Sequence, residues 1–267
     1  MKHLLLFCIF SVTGSFIGAQ ETSIKLKVGQ EHKTASGLTI KLSHSGKGKA
    51  VDKGDKVKVH YVGTLVDGRK FDSSRDRDQP FEFVIGMKQV IAGWDEAFAL
   101  LKVGDKATLT IPPDLGYGET PMPKIPVGSV LFFDVEVIDV YKDFAPKQFV
   151  AKEKDQKTTS SGLKYCVLEQ GTGSKAEKGK TVEVHYTGFF ENGDIFDSSV
   201  LRGQPISFRV GAGMVIPGWD EGLEYLNAGG KALLVIPFQL AYGESGRPPL
   251  IPPKANLIFN VELVSVK

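Results

Sequence analysis

Alternating hydrophobic and polar residues predict β-strands at several places along the chain. The alternation is clearest in residues 57–61 (Val-Lys-Val-His-Tyr) and 182–186 (Val-Glu-Val-His-Tyr), where every second side chain is apolar. A period of two is typical of strands with one buried face. Asp67-Gly68 and Asn192-Gly193 follow soon after and are strong hairpin signals. Each half of the chain is therefore predicted to be rich in antiparallel strands.

One short helix is predicted in each half. Pro217 suits the first turn of a helix, and Gly229 suits its C-terminal cap. Trp219, Leu223 and Leu226 share one face at helical spacing. The matching residues of the first half are Trp94, Phe98, Leu101 and Gly104. Strands that greatly outnumber helices in this way predict an α+β fold, with an antiparallel sheet wrapped around a helix.

The two halves are copies of one another. Short strings recur in the same order at an offset of 125 residues, which becomes 126 after Tyr117. The matched strings include Val59-His60-Tyr61 with Val184-His185-Tyr186, Phe71-Asp72-Ser73-Ser74 with Phe196-Asp197-Ser198-Ser199, and Gly93-Trp94-Asp95-Glu96 with Gly218-Trp219-Asp220-Glu221. A period this long indicates a domain duplication. We predict domains at residues 34–141 and 159–267, a charged linker at 142–158, and one deletion in the first copy, in the loop after Tyr117.

Residues 1–19 are typical of a secretory signal peptide. Lys2 supplies the positive end, residues 4–10 are continuously apolar, and Ala19 suits the position before cleavage. The alternative is a buried N-terminal strand or helix. We therefore expect an extracytoplasmic protein (secreted, periplasmic or in the lumen of the endoplasmic reticulum) with no stable membrane insertion after cleavage.

Composition and charge exclude several classes of protein. The 267 residues carry a formal net charge of +2, and lysine and arginine are spread along the chain, so we expect no nucleic-acid partner. No apolar run reaches the ~20 residues that span a bilayer. Once Cys8 leaves with the signal segment, Cys166 is the remaining cysteine. We interpret Cys166 as a small buried residue, with an intermolecular disulfide as the alternative.

Motifs for covalent or metal chemistry are weak. His60 and His185 lie on predicted strands beside tyrosines, and we interpret both as structural. No cluster of histidine, cysteine and acid has the spacing of metal ligands, so we expect no metal and no cofactor. Residues 72–78 resemble a calcium loop with misplaced glycine and glutamate, and residues 173–181 resemble a phosphate loop with one residue too many.

What recurs instead is a set of aromatic and aliphatic residues with one acid in each copy. Most sets of this kind are ordinary hydrophobic core. Two features favour a binding site here. An aspartate and two tyrosine hydroxyls stand among the apolar residues of each copy and need hydrogen-bond partners. Each Tyr-Gly-Glu string also opens a loop rich in proline and glycine, which is typical of the rim of a binding site.

Both copies resemble the FKBP family of macrolide-binding peptidyl-prolyl cis–trans isomerases. The strings that carry the resemblance are Val-His-Tyr-x-Gly, Phe-Asp-Ser-Ser, Val-Ile-x-Gly-Trp-Asp-Glu, Tyr-Gly-Glu and Phe-x-Val-Glu, in this order in each copy. The resemblance implies two tandem domains, each a bent antiparallel sheet wrapped around one short helix. It also implies rotation of X–Pro bonds in proline-containing polypeptide clients, with macrolides as further ligands.

The resemblance assigns residues to each site. Those implied to be catalytic are Tyr61, Phe71, Asp72, Trp94, Tyr117 and Phe133 in the first copy, and Tyr186, Phe196, Asp197, Trp219, Tyr242 and Phe259 in the second. Those implied to bind substrate are Arg77, Phe81, Phe83, Val90, Ile91 and Ile125, and in the second copy Arg202, Ile206, Phe208, Val215, Ile216 and Ile251. In this family the tryptophans would form the floor of the pocket, and the backbone amides of Ile91 and Ile216 would face the ligand.

The first copy departs from the family pattern at one place near the site, and the second copy departs at two. The first copy has the shortened loop, and the second has Ile206 where an aromatic is usual and Arg247 where histidine is usual. We predict a prolyl isomerase acting on secreted or extracytoplasmic clients, with both domains active and the first faster. The alternative is a chaperone or peptide-binding module in which one or both pockets do not catalyse. Recognition of carbohydrate or lipid is a third, more remote hypothesis.

Overall fold

The computed structural model describes residues 25–267, which form two antiparallel sheets of seven strands each. The predicted signal peptide lies outside the described residues. The first domain contains β1 (Glu31–Lys33), β2 (Thr39–His44), β3 (Lys56–Thr64), β4 (Lys70–Ser73), β5 (Phe81–Val84), helix α1 (Ala92–Phe98), β6 (Lys106–Ile111) and β7 (Leu131–Tyr141). Its strands are ordered β1-β2-β6-β7-β3-β4, and β5 also pairs with β3.

The second domain repeats this plan. It contains β8 (Lys157–Thr158), β9 (Lys164–Glu169), β10 (Thr181–Phe189), β11 (Ile195–Ser198), α2 (Ser199–Arg202), β12 (Ile206–Arg209), α3 (Pro217–Leu223), β13 (Lys231–Ile236) and β14 (Leu257–Val266). Its order is β11-β10-β14-β13-β9-β8, with β12 pairing with β10. Strands β1 and β8 extend the two sheets beyond the starts at residues 34 and 159 that the sequence predicts.

The alternation seen in the sequence sets the buried face of β3. Val57, Val59 and Tyr61 point into the core, and the residues between them are partly exposed. In the register of β3 with β7, Tyr61 lies opposite Val135 and Gly63 lies opposite Phe133. Tyr61 and Phe133 therefore reach the same end of the core, and each domain encloses a separate hydrophobic core of this kind.

Each sheet packs closely on one short helix. Trp94 on α1 is 4% exposed and Phe98 is fully buried. A Cβ atom at Gly93 would lie 2.6 Å from Ile111 Cγ2 on β6, and one at Gly218 would lie 2.5 Å from Ile236 Cγ2. Glycine at this position therefore lets the helix approach the sheet closely enough to bury its tryptophan.

The helices differ from the prediction in two respects. Helix α3 ends at Leu223, so Gly229 is not its cap and instead occupies a later turn, where its N–H donates to Leu263 O at 2.6 Å. The second domain also has the one-turn helix α2, where the sequence predicts none. The hydroxyl of Ser198 accepts from the Leu201 N–H at 3.3 Å, and Gly203 adopts a left-handed C-cap with φ of 73°.

The charged segment between the domains is tied to both of them. Lys142 Nζ bonds Asp55 Oδ2 at 2.5 Å in the first domain. Asn260 on β14 accepts from the Phe149 N–H at 2.8 Å and donates to Lys147 O at 2.9 Å. The linker thus has an ordered path along residues 142–149. Within residues 25–267, no helix is long and apolar enough to cross a membrane.

Candidate active sites

A cavity of about 340 Å³ opens at one end of the first core. All six residues predicted to be catalytic in this domain line it, namely Tyr61, Phe71, Asp72, Trp94, Tyr117 and Phe133. Four of those predicted to bind substrate also line it, namely Phe81, Val90, Ile91 and Ile125. The lining residues lie on strands β3, β4, β5 and β7, on helix α1, in the loop before α1 and in the segment between β6 and β7.

The indole ring of Trp94 is the centre of the aromatic cluster in this cavity. Its centroid lies 5.0 Å from that of Tyr61 and 5.1 Å from that of Phe133, both in edge-on arrangements. Phe81 adds a further edge-on contact to Trp94 at 6.0 Å. Edge-to-face packing of this kind fixes ring orientations and contributes beyond simple burial. The cavity floor is therefore a rigid apolar surface.

An ordered polar group borders this apolar floor. The hydroxyl of Tyr61 donates to Asp72, and Arg77 bonds both Asp72 and the Tyr61 oxygen, the latter at 2.9 Å. Burial alone would raise the pKa of the Asp72 carboxyl, but the hydrogen bonds from Arg77 and Tyr61 outweigh it and hold that pKa below its usual value. Asp72 is thus an ionised acceptor at neutral pH and is already neutralised by its neighbours.

The second domain has the same constellation around a smaller cavity of about 150 Å³. Its six residues predicted to be catalytic, Tyr186, Phe196, Asp197, Trp219, Tyr242 and Phe259, line that cavity together with Ile206, Val215 and Ile216. Tyr186 donates to Asp197, and Arg202 bonds both residues. Burial, followed by the hydrogen bond to Asp197, raises the pKa of Tyr186 to about 12.

A second opening adjoins the cavity of the second domain. This side groove has a volume of about 380 Å³ and shares Phe196, Asp197 and Tyr242 with the cavity. Its outer wall is the loop formed by Arg247, Pro248, Pro249, Leu250 and Ile251. Ile251, predicted to bind substrate, lies here rather than in the smaller cavity.

Glycine lets the aromatic walls of both sites close on the central strand. A Cβ atom at Gly63 would lie 2.7 Å from the Phe71 ring and 2.9 Å from the Phe133 ring. At Gly188 the corresponding distances to Phe196 and Phe259 would be 2.5 and 2.8 Å. Any larger residue would push two wall residues apart, so this position sets the width of the pocket.

Besides Ile251, four predicted residues do not line either cavity. Phe83 and Phe208 are buried behind the tryptophans, with centroid distances of 5.5 Å to Trp94 and 5.9 Å to Trp219. Arg77 and Arg202 lie outside the cavities and act through the aspartates. Period-two alternation cannot distinguish a residue that lines the cavity from a residue buried one layer behind it, because both point to the same face of the strand.

Several lining residues are not among those that the resemblance assigns to the sites. They are Gln89, Met122 and Pro123 in the first domain, and Met214, Arg247, Pro248, Pro249 and Leu250 in the second. Most lie in the loop after the Tyr-Gly-Glu string, whose proline content marked it as a rim without showing which side chains face the site.

Three residues weighed for other roles lie away from the cavities. His60 Nδ1 is 3.0 Å from Ser74 Oγ, and His185 Nδ1 is 3.1 Å from Ser199 Oγ, which are contacts that order the backbone beside the strand. Cys166 is buried at 3% exposure on β9, as a small core residue would be. A larger cavity of about 580 Å³ lies beside α3, and two of its charged lining residues, Lys175 and Glu224, are replaced by alanines in the first domain.

Two aromatic pockets on duplicated sheet-and-helix domains define a tandem α+β protein with a candidate binding site in each domain. The family model for FKBP-type peptidyl-prolyl cis–trans isomerases matches residues 47–138 and 172–264, which is more than half of the chain. The chain therefore belongs to the FKBP family. Each matched segment contains one complete aromatic pocket and its helix.

Curated relatives match across both domains. The chain is 39% identical over 219 residues to rat peptidyl-prolyl cis–trans isomerase FKBP9, covering 82% of this chain and 36% of that protein. It is 38% identical over 223 residues to FkpA of Escherichia coli K12, covering 82% of this chain and 78% of FkpA. The crystal structure of FkpA aligns over 44% of this chain and 54% of that chain, at 51% identity and a TM-score of 0.41. The chain thus spans about a third of the length of FKBP9.

Proposed function

We propose that both domains catalyse cis–trans isomerisation of X–Pro bonds in polypeptide clients. The observation that carries the proposal is the aromatic pocket over a buried tryptophan, bordered by a Tyr–Asp–Arg group and built twice in one chain. A site of this kind offers a proline ring an apolar surface and offers the adjacent amide a few fixed polar groups. Membership of the FKBP family supports the same activity.

The chemistry requires no covalent step. Rotation about a peptide bond is opposed by its partial double-bond character, with a barrier of ~18–20 kcal/mol. Uncatalysed X–Pro bonds exchange over about 10–100 s at 25 °C. The twisted amide has lost resonance and charge separation, so an apolar pocket disfavours the planar amide relative to the twisted one. Each 1.4 kcal/mol of such preference is about tenfold in rate.

We assign the roles as follows. The proline ring packs on Trp94 or Trp219 and is enclosed by the tyrosine and phenylalanine walls. The Ile91 N–H precedes α1, lines the cavity and donates no hydrogen bond among the described residues, so it is available to a carbonyl of the peptide. Tyr117 and Tyr242 offer hydroxyls at the rim. Asp72 and Asp197 orient Tyr61 and Tyr186 rather than act as bases, because an arginine already bonds each carboxylate.

The proposed place of action rests on the N-terminal segment. We propose that residues 1–19 direct the chain out of the cytoplasm and are removed after Ala19. Clients are then secreted or other extracytoplasmic polypeptides whose folding waits for X–Pro exchange. The aromatic cavities also suit macrolide ligands, since these are large apolar molecules with a few acceptor oxygens.

The test uses the full chain, because it holds one tryptophan in each site and no others. With 5-fluorotryptophan incorporated, each fluorine signal reports one pocket during titration with an X–Pro peptide. Exchange NMR on the same samples measures the isomerisation rate without a coupling protease. We expect both signals to shift and the exchange rate to rise well above the uncatalysed rate.

Variants assign the rate to each domain. Trp94→Leu should retain only the isomerisation rate of the second domain, and Trp219→Leu only that of the first. The remaining fluorine signal shows in each case that the unmodified domain is intact. The double variant should return the rate to the uncatalysed value. Shifts in both signals without any rate increase would contradict the enzyme proposal and leave a peptide-binding or chaperone module.

A further inference from the structure

The two sites differ most in the loop that forms the outer rim. Met122 in the first domain forms an antiparallel bridge with Ile125, and Arg247 forms the same bridge with Ile251 in the second. Two residues separate the bridge partners in the first domain and three separate them in the second. Met122 and Arg247 are therefore equivalent positions, and each lines its own site.

The rim of the second domain holds Arg247 on a well-ordered turn. The Arg247 N–H donates to Ile251 O at 2.8 Å, and the Ile251 N–H returns a bond to Arg247 O at 3.0 Å. Two prolines follow Arg247, and their fixed φ angles leave the turn little freedom. The backbone that carries Arg247 is thus held beside the side groove.

The charge of Arg247 is not used within the site. Asp197, the acid that lines both the cavity and the groove, is already bonded by Arg202 and Tyr186. Glu244, in the same loop, pairs with Lys254 at 2.8 Å. No acidic side chain of the described residues lies within ion-pair distance of Arg247, so the rim presents a free positive charge.

We propose that the second site selects X–Pro segments carrying an acidic side chain within two residues of the proline. The proline occupies the cavity over Trp219, and the neighbouring residue lies in the side groove with its carboxylate on Arg247. The first site has Met122 at this position and accepts uncharged neighbours instead. This assignment of substrate class rests on the proposed function of the same sites. It divides client segments between the two domains by charge.

The test titrates the fluorotryptophan-labelled full chain with peptides that differ at one position. Glu, Gln or Lys is placed in turn at each of the two positions on either side of an X–Pro pair. At one or more positions, the Trp219 signal should show Glu bound about two- to fivefold more tightly than Lys, the range for an exposed ion pair. The Trp94 signal should show no such order. Raising the salt from 50 to 500 mM should reduce the preference.

Reciprocal variants locate the effect. Arg247→Met should abolish the preference for Glu over Lys peptides at Trp219, and Arg247→Lys should keep it. Met122→Arg should create the same preference at Trp94. Arg209→Met is the matched control, since Arg209 is an exposed arginine of the same domain that lines neither the cavity nor the groove. An unchanged order in Arg247→Met would overturn the proposal.

The outcome is separable from that of the proposed function. Binding with the expected charge order but no isomerisation would contradict the enzymatic activity and support the selection. Isomerisation with equal affinity for Glu, Gln and Lys peptides would support the enzymatic activity and contradict the selection. No shift at Trp219 with any peptide would overturn both.

Discussion

The hydroxyl of Tyr61 donates to the carboxylate of Asp72, and Arg77 bonds both residues from the solvent side. The same triangle is formed in the second domain by Tyr186, Asp197 and Arg202. Both tyrosines are less than a tenth exposed, whereas the arginines are about half exposed. Each aspartate therefore joins a buried wall residue to a surface cation and fixes the tyrosine ring that faces the ligand.

Replacing this acid should lower activity without unfolding the domain. Asp72→Leu leaves the Tyr61 hydroxyl and Arg77 without their shared acceptor, so the tyrosine ring loses its fixed position. We expect kcat/KM of the first site to fall roughly tenfold, the equivalent of about 1.4 kcal/mol. The measurement is exchange NMR in the Trp219→Leu background, with thermal unfolding as the check on folding.

Asp72→Asn is the informative control for this prediction. It keeps an oxygen acceptor for Tyr61 and removes the charge that holds Arg77, so its activity should lie between those of the wild type and Asp72→Leu. Full activity in both Asp72→Leu and Asp197→Leu would show that the acids only maintain the fold.

The aromatic wall should make the first site the faster one. Phe81 packs edge-on against Tyr61 at 6.2 Å and against Trp94 at 6.0 Å, and Ile206 occupies the matching position in the second domain. An aromatic pair is worth about 0.5–1.5 kcal/mol beyond its buried area. Ile206→Phe should therefore raise the rate of the second site about two- to tenfold.

Phe81→Ile is the matched reverse variant and should slow the first site by a similar factor. Both are measured with the other tryptophan replaced by leucine. A second site that is faster from the outset, or that does not respond to Ile206→Phe, would show that the rim loop matters more than this wall.

The raised pKa of Tyr186 predicts a loss of stability at high pH. An unfolded tyrosine ionises near pH ~10, whereas Tyr186 in the folded chain keeps its proton up to about pH 12. The folded state then binds more protons than the unfolded state, so this contribution is complete below pH ~10 and is lost as pH rises towards 12. Between these values the free energy of unfolding should fall by on the order of 1–2 kcal/mol more in the wild type than in Tyr186→Phe.

Urea unfolding of the two proteins at matched pH values between 9 and about 11.5 measures this difference. Lysine deprotonation affects both proteins equally, so the comparison isolates the one phenol. Parallel pH profiles for the wild type and Tyr186→Phe would contradict the raised pKa of Tyr186 that burial and the hydrogen bond to Asp197 produce.

The linker contact should also be measurable. Asn260 is 5% exposed and bonds the backbone of both Lys147 and Phe149. Asn260→Ala leaves these backbone groups without that partner, and we expect a loss of about 1–3 kcal/mol in the free energy of unfolding of the second domain. Limited proteolysis should also cut faster within residues 142–158.

Asp134→Asn is the control at the equivalent position of the first domain. There the acid accepts from Thr108 Oγ1 at 2.7 Å and does not touch the linker, and Leu233 replaces that threonine in the second domain. If Asn260→Ala and Asp134→Asn were cleaved at equal rates, the linker contact would have no role in ordering the segment.

Local features of the sequence were enough to predict the fold of each domain. The alternation at residues 57–61 assigns one face of a strand, and Asp67-Gly68 places a turn, because both act through neighbouring residues. The duplication strengthens each of these predictions, since the same residue types recur at matching positions. The resemblance to the FKBP family then assigned nearly all of the residues that line the cavities.

The layering of those residues and the contacts that join them depend on the tertiary structure. Phe83 lies behind Trp94 instead of facing the cavity, and Arg247 lies beside a groove, because both depend on contacts between segments far apart in the chain. Asn260 likewise meets the linker across more than 100 residues of sequence. The repeat, the strands and the aromatic set are predictable from the amino-acid sequence alone, since these follow from local spacing and composition. The width of each pocket, and the groove that Arg247 borders, follow from long-range packing, which no local pattern records.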